Sequence, residues 1–322
     1  MARVEYWPRY GLENYTFVFP FEKSFDSVQS TKWMQHNWLH SVSSSVLYVI
    51  AIYAGQKIMQ SRKPYSLRIP LILWNFCLAV FSVVGVLRMS PEMWWSVTAN
   101  SLEYSICTAS FAQGVTGFWT EMFAMSKIME FGDTAFLVLR KRPLLFLHWY
   151  HHVTVLVYTW HAYKDHTASG RWFIWMNYTV HAFMYTYYAL RALHIRLPKV
   201  AAMMLTVLQI LQMVGGVTIG ISILNIKLAG RECQQTWENL YFSFTIYLSY
   251  FLLFCNFFYH AYIKKNNRYE SLQKEDVLKT TNHLNIQGEQ QQHLNGMTTT
   301  TVKYDDEAAT KGGLKRRAVR AD

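Results

Sequence analysis

The chain has 322 residues, with 31 Lys+Arg against 20 Asp+Glu, a formal charge of +11, 52% hydrophobic and 16% aromatic residues, and only 16% charged ones. Its long apolar runs exclude a soluble enzyme of one or two domains as well as a disordered or collagen-like chain. The basic residues form short clusters between apolar segments rather than one stripe, which argues against a nucleic-acid partner, and the composition is that of a membrane protein.

Residues 1–35 carry four basic and four acidic residues and no continuous apolar core. No removable signal peptide is expected there, so the first hydrophobic span must do the targeting. A helix crossing the hydrocarbon layer needs about 20 mostly apolar residues. Seven stretches qualify: 37–58, 68–88, 117–139, 144–163, 172–190, 201–225 and 238–262. Connections 56–70, 140–143 and 190–200, together with 262–268, hold 13 Lys/Arg, against five in connections 88–116, 163–171 and 226–236. The positive-inside rule therefore places the N-terminus outside or in a lumen and the C-terminus in the cytosol. The expected organisation is a lumenal segment 1–35, a seven-span membrane domain 36–263 and a cytosolic tail 264–322. The tail is poor in bulky apolar residues and is expected to be disordered.

Two features agree with that orientation. Asn14-Tyr15-Thr16 is a glycosylation sequon on the lumenal side, whereas Asn177-Tyr178-Thr179 lies within a span. Of the four cysteines, Cys77 and Cys255 fall in spans, while Cys107 and Cys233 fall in lumenal connections, where an oxidising compartment permits a disulfide between them.

Ionisable groups inside spans are costly and by default functional. Span three carries Lys127, Glu130, Asp133 and Thr134 on one side; span four opens with His148-Trp149-Tyr150-His151-His152, whose three imidazoles share a face; span five carries Asn177, His181, Tyr185 and Tyr188; span six carries Thr206, Gln209 and Gln212. At about 1.5 Å per residue, the polar groups of all four spans lie roughly 6–18 Å in from the cytosolic side. Thr206, Tyr185 and Tyr188 read equally as interhelical glue. His36, His40, His161, His166 and His260 sit at membrane boundaries, and His283 and His293 in the tail.

A histidine cluster raises a metal site as the rival reading. Di-iron lipid oxidases need two His-x-x-His-His boxes plus His-x-x-x-His. Here there is one box, and His36-Asn37-Trp38-Leu39-His40 lies at the opposite membrane face. No metal or other cofactor is expected. Seven spans also suit a receptor, and an intramembrane Glu, Asp and His set suits a transporter.

The four polar motifs, in this order, resemble those of the ELO fatty-acid elongases over roughly residues 30–268. They are Lys127-Ile-Met-Glu130-Phe-Gly-Asp133-Thr134, His148-Trp-Tyr-His151-His152, Asn177-Tyr-Thr-Val-His181-Ala-Phe-Met184-Tyr185-Thr-Tyr187-Tyr188 and Thr206-Val-Leu-Gln209-Ile-Leu-Gln212. The His-Trp-Tyr-His-His variant looks like the branch acting on saturated and monounsaturated chains near sixteen carbons.

The resemblance implies an endoplasmic-reticulum 3-ketoacyl-CoA synthase that condenses a long-chain acyl-CoA with malonyl-CoA. The implied fold has seven helices, six of them enclosing a tunnel as inverted 3+3 units. Implied partners are a ketoacyl-CoA reductase, a dehydratase and an enoyl-CoA reductase, with membrane lipid around the protein and homo-oligomerisation left open. The resemblance points to His151 as nucleophile through an acyl-imidazole. Asp133, Glu130 or Asn177 would hold its tautomer, and His152 and His181 would polarise the thioester and steer the malonyl unit. Lys127, Asn177, Tyr185, Tyr188, Gln209 and Gln212 would line the substrate site. The polyanionic CoA would meet Arg140, Lys141, Arg142, Arg191, Lys264, Lys265 and Arg268. Trp119, Trp160, Trp172 and Trp175, in the lumenal halves of the spans, are the expected stoppers of the acyl chain.

Overall fold

The computed structural model describes residues 10–264. The chain divides into two units, Met1–Tyr259 and His260–Asp322. Of the second unit only the residues to Lys264 are described, the end of a π-helical turn spanning Tyr259–Ile263. The remainder of the tail, including Lys265, Arg268, His283 and His293, lies outside the described residues.

The first unit is entirely helical among the described residues, as expected: α1 (Pro20–Lys23), α2 (Ser27–Asn37), α3 (His40–Gln60), α4 (Arg68–Trp95), α5 (Leu102–Cys107), α6 (Gly114–Met129), α7 (Phe131–Leu139), α8 (Phe146–Lys164), α9 (Gly170–Ala192), α10 (Lys199–Leu228) and α11 (Trp237–Phe258). Local chemistry sets several starts. Asp26 caps α2 by accepting from the Val28 and Gln29 amides, Ser101 caps α5 through Tyr104 N–H, and Thr236 caps α11 through Asn239 N–H. Four ends use one device. After α7, α8, α9 and α10 the residues Lys141, His166, His194 and Gly230 take positive φ. The amide that follows each bonds back five residues, Arg142 to Leu137, Thr167 to Ala162, Ile195 to Leu190 and Arg231 to Ile226. This Schellman geometry satisfies carbonyls that the helix itself leaves unpaired.

Four helical stretches, His40–Gln60, Arg68–Asn100, Lys199–Leu228 and Trp237–Ile263, are long and apolar enough to cross a membrane. These are the first, second, sixth and seventh of the expected spans. The other three expected spans fall on α6–α7, α8 and α9, which carry three of the four polar motifs. Span three departs from expectation: rather than one helix over 117–139, it is interrupted at Glu130, where α6 ends and α7 begins.

Within the first unit, six elements pack in a closed sequence of neighbours: α4 on α9, α9 on α10, α10 on α11, α11 on α8, α8 on α6 and α6 on α4. Helix α3 packs against α7 and α8. The α4–α9 pair is the most extensive, and Gly85 permits it. A Cβ there would stand 2.5 Å from the Tyr178 ring, so the backbone of α4 can approach α9 only because no side chain intervenes.

The end of the bundle bearing the 88–116, 163–171 and 226–236 connections is tied together by polar groups. Arg171, fully buried, ion-pairs with Glu92 at 2.8 Å and donates to the Ser110 hydroxyl and the Ser105 carbonyl. Cys107 and Cys233 form a disulfide. Beside it Gln234 N–H donates to Cys107 O at 2.9 Å and Ala168 N–H donates to Gln234 O at 2.9 Å. The N-terminal segment is strapped on through buried Glu22, which accepts from Arg88 Nε and an Nη, Trp119 Nε1 and the Phe19 amide at 2.6–2.9 Å. Burial alone would raise its pKa, but these donors outweigh it and hold the carboxyl below its ordinary value. Asn14 is exposed in a 3-10 turn, its Oδ1 accepting from Gly11 N–H at 2.8 Å.

Candidate functional site

The polar motifs meet in three linked clusters. In the first, Lys127 is buried on α6, and its ammonium donates to Glu130 Oε1 at 2.6 Å and to Asn177 Oδ1 of α9 at 3.0 Å. The ammonium also lies 4.1 Å from the centre of the Phe123 ring. Glu130 Oε1 is 3.6 Å from His181 Nδ1, one turn beyond Asn177. A cation this deep is tolerated because a carboxylate, an amide oxygen and a π face surround it.

The second cluster begins just past the break. Asp133 Oδ1 accepts from Trp74 Nε1 of α4 at 2.6 Å, and Oδ2 from the Tyr185 hydroxyl of α9 at 2.7 Å. Gly132 makes this possible, since a Cβ there would meet the Trp74 indole at 2.5 Å. Thr134, in the third cluster, shares hydrogen bonds with His148 Nε2 at 2.9 Å and with the Tyr48 hydroxyl of α3 at 2.6 Å. The Tyr48 ring stacks on Phe131 at 4.0 Å. On either side of the interruption at Glu130, Lys127, Glu130, Asp133 and Thr134 thus meet four other helices, α3, α4, α8 and α9.

The three imidazoles of α8 do gather. The His148 and His152 rings are 4.6 Å apart and the His151 and His152 rings 5.5 Å apart. His152 is buried, and its Nδ1 has no hydrogen-bond partner among the described residues; the same is true of Glu130 Oε2. Buried polar atoms are nearly always paired in a finished interior; Ser45 Oγ and Gln235 Nε2 are likewise without a partner among the described residues. Among the described residues no three His, Cys, Asp or Glu side chains are grouped to hold a metal ion.

Several expected partnerships are not made. Asp133, Glu130 and Asn177 are engaged with Trp74 and Tyr185, with Lys127, and with Lys127 respectively. None of them is bonded to the His151 ring. That ring instead lies against Tyr250 of α11, 5.0 Å between centres. Tyr188 is 45% exposed and stands edge-on to Tyr187. Gln212 is buried facing the Tyr247 hydroxyl, and Gln209 Nε2 lies 3.7 Å from Met184 Sδ. Thr206 donates to Ala202 O within its own helix.

Of the basic residues, Lys141 donates to Gln60 O and Arg62 O and so braces the connection between α3 and α4. Arg140 is half-buried, with a guanidinium pKa lowered by burial and by neighbouring Arg142. Arg142, Arg191 and Lys264 are exposed.

Each of the four expected tryptophan stoppers has its indole N–H paired. Trp119 donates to Glu22, Trp160 to Ala124 O, Trp172 to Ser105 Oγ and Trp175 to Ser90 Oγ. None lines the cavity of about 50 Å³ found between α6, α8 and α9. Phe111, Phe123, Tyr158, Ala162, Phe173 and Ile174 are among its walls. On α8 and α9 these walls begin roughly two turns from His151 and His181, on the side opposite Arg140.

Trp74, Tyr48 and Tyr250 were missed by the motif reading. Each sits in an apolar span where an aromatic residue reads as packing, and no spacing in the sequence ties them to the histidines.

The sequence comparisons agree with the motifs. A profile described as the GNS1/SUR4 family, ELO, matches residues 33–270. The chain is 63% identical over 277 residues to putative fatty acid elongase 3 of Caenorhabditis elegans, covering 85% of this chain and 87% of that protein. It is 46% identical over 249 residues to very long chain fatty acid elongase 6 of Rattus norvegicus, covering 77% and 93%. Against the elongase 6 of Gallus gallus it is 45% identical over 251 residues, covering 78% and 94%. Matches of this extent to the profile and to whole relatives show that the chain belongs to the ELO family.

Proposed function

We propose that the protein is a fatty-acid elongase, a very-long-chain 3-oxoacyl-CoA synthase, and that the imidazole cluster of α8 is its reaction centre. The observation that carries this reading is the packing of three imidazoles beside a buried Lys127–Glu130–His181 set, with His152 Nδ1 and Glu130 Oε2 left to receive substrate.

In this reading a ring nitrogen of His151 attacks the acyl-CoA carbonyl. The C–S bond breaks, and CoA leaves as a thiolate that takes up a proton. Malonyl-CoA then loses CO2, and its enolate carbon attacks the acyl-imidazole carbonyl. A C–C bond forms, the C–N bond to His151 breaks, and the product is a 3-ketoacyl-CoA two carbons longer. His152 is placed to donate toward the developing oxyanion, and His181, with the Lys127 ammonium behind Glu130, toward the malonyl group. His148, tied to Thr134, fixes the start of the imidazole face. Asp133, joined to Trp74 and Tyr185, holds α7 against α4 and α9.

The membrane reading follows the charge bias. Helices α6–α7, α8 and α9 supply the three remaining spans, the N-terminus is lumenal, and Arg140, Arg142 and Arg191 meet CoA on the cytosolic side. The protein then resides in the endoplasmic reticulum and hands its product to a ketoacyl-CoA reductase, a dehydratase and an enoyl-CoA reductase. Asn14 is the glycosylation site. The acyl chain extends from His151 to the cavity between α6, α8 and α9.

Purified protein given palmitoyl-CoA and radiolabelled malonyl-CoA is expected to form a labelled 3-ketoacyl-CoA without any reductant. Absence of labelled condensation product in a folded preparation would contradict the assignment.

A further inference from the structure

Among the described residues no carboxylate or amide is bonded to the His151 ring, and the side chain that lies against it comes from α11. Tyr250 is 3% exposed, and its ring lies 5.0 Å from the imidazole at an interplanar angle of 46°. On another side the Tyr150 ring meets Tyr250 edge-on, at 6.0 Å and 88°. The tyrosine is therefore clamped between two side chains of α8, both in the range where aromatic pairs attract.

Its hydroxyl completes the clamp. Thr154 Oγ1 donates back to Tyr150 O at 2.7 Å, which commits its single proton. The same oxygen lies 2.5 Å from the Tyr250 hydroxyl and so accepts from it. The Tyr250 hydroxyl is also 3.3 Å from His151 O. One end of Tyr250 is thus anchored to the turn of α8 that carries His151, while its ring lies against that residue's imidazole. The Tyr150 hydroxyl, donating to Ser249 Oγ at 3.1 Å, locks the same two helices together.

We infer that Tyr250 is a positioning residue for His151. Its ring restricts the imidazole to the rotamer that aims a ring nitrogen at the acyl carbonyl, and its hydroxyl keeps the ring in register with α8. The inference rests on His151 being the nucleophile. Since acyl transfer needs a near-attack geometry, a misplacement of about 1 Å costs on the order of 100-fold in rate. The effect should therefore fall on acylation rather than on acyl-CoA binding.

The test is time-resolved intact-mass measurement of full-length protein mixed with palmitoyl-CoA alone, alongside steady-state condensation. In Tyr250→Leu, acylation is expected to slow by about 10–100-fold, with KM for palmitoyl-CoA changed by less than about threefold. Tyr250→Phe keeps the ring and should recover to within about fivefold of wild type. Thr154→Val leaves the ring in place but removes the anchor of its hydroxyl, and should slow acylation by about three- to tenfold at unchanged KM; this variant carries the test if the leucine protein does not fold. Wild-type acylation in Tyr250→Leu, or in Thr154→Val where that variant carries the test, overturns the positioning role. So does a Phe variant as impaired as the Leu variant. If wild-type protein forms no adduct while still condensing, the nucleophile reading beneath the inference fails instead.

Discussion

Lys127 and Glu130 form a 2.6 Å ion pair across the point where α6 gives way to α7, with both side chains almost fully buried. Removing one partner of such a pair strands a charge and typically costs about 3–5 kcal/mol, whereas replacing both can be nearly neutral. Lys127→Met alone is therefore expected to lower thermal stability sharply in detergent. The double variant Lys127→Met/Glu130→Gln is expected to regain much of that stability while remaining inactive. Recovery of condensation in the double variant would show that the pair only supports the fold.

The disulfide joins connections 126 residues apart in sequence. Cys107→Ser is expected to cost about 2–4 kcal/mol, read as a lower melting temperature, while condensation at low temperature persists because the bridge lies at the opposite end of the bundle from Arg140. Non-reducing peptide mapping that finds both thiols free in protein from its native membrane would contradict the pairing.

Glu22 predicts a pH dependence. Its folded pKa is depressed, so its contribution to stability is fully present above the ordinary glutamate value of about 4.3. That contribution is lost as pH falls through the depressed folded value, because protonation breaks the bonds from Arg88 and Trp119. Melting temperature should fall on acidification below that ordinary value in wild type. In Glu22→Gln it should be lower at neutral pH and change less with acid; parallel curves for the two proteins would contradict the account.

Chain length is expected to respond to the cavity and not to the tryptophans. Ala162→Leu adds three carbons to its wall and should shorten the preferred product by about two carbons in a close-packed interior. Trp160→Ala and Trp172→Ala should lose stability through their broken anchors without lengthening the product. Product profiling that shows lengthening in a tryptophan variant, and no shift in Ala162→Leu, would restore the tryptophans as stoppers.

Much of this architecture can be read from residue order alone. Apolar length marks the long helices to within a few positions, except that α4 runs on through Pro91 to Trp95 and that the expected third span is two helices, α6 and α7. The i, i+3 and i+4 spacings gather the imidazoles of α8 correctly. What pattern does not reveal is the partner of each polar group, because that depends on the rotation of one helix against another. Asp133 could face any neighbour, and Trp74 is chosen by the space above Gly132. The break at Glu130 has no proline or turn pair to announce it. The tryptophans read as stoppers on size, whereas the acceptor that each indole N–H has found was not legible in the sequence.

The central claim is that His151 carries the acyl group. Intact-mass analysis after incubation with palmitoyl-CoA alone, followed by peptide mapping, tests it most directly. Wild-type protein should gain the mass of one acyl group on the peptide bearing His151, and His151→Ala, folded and membrane-inserted, should gain none and condense nothing. An adduct of equal yield in His151→Ala, or condensation persisting there, would contradict the account.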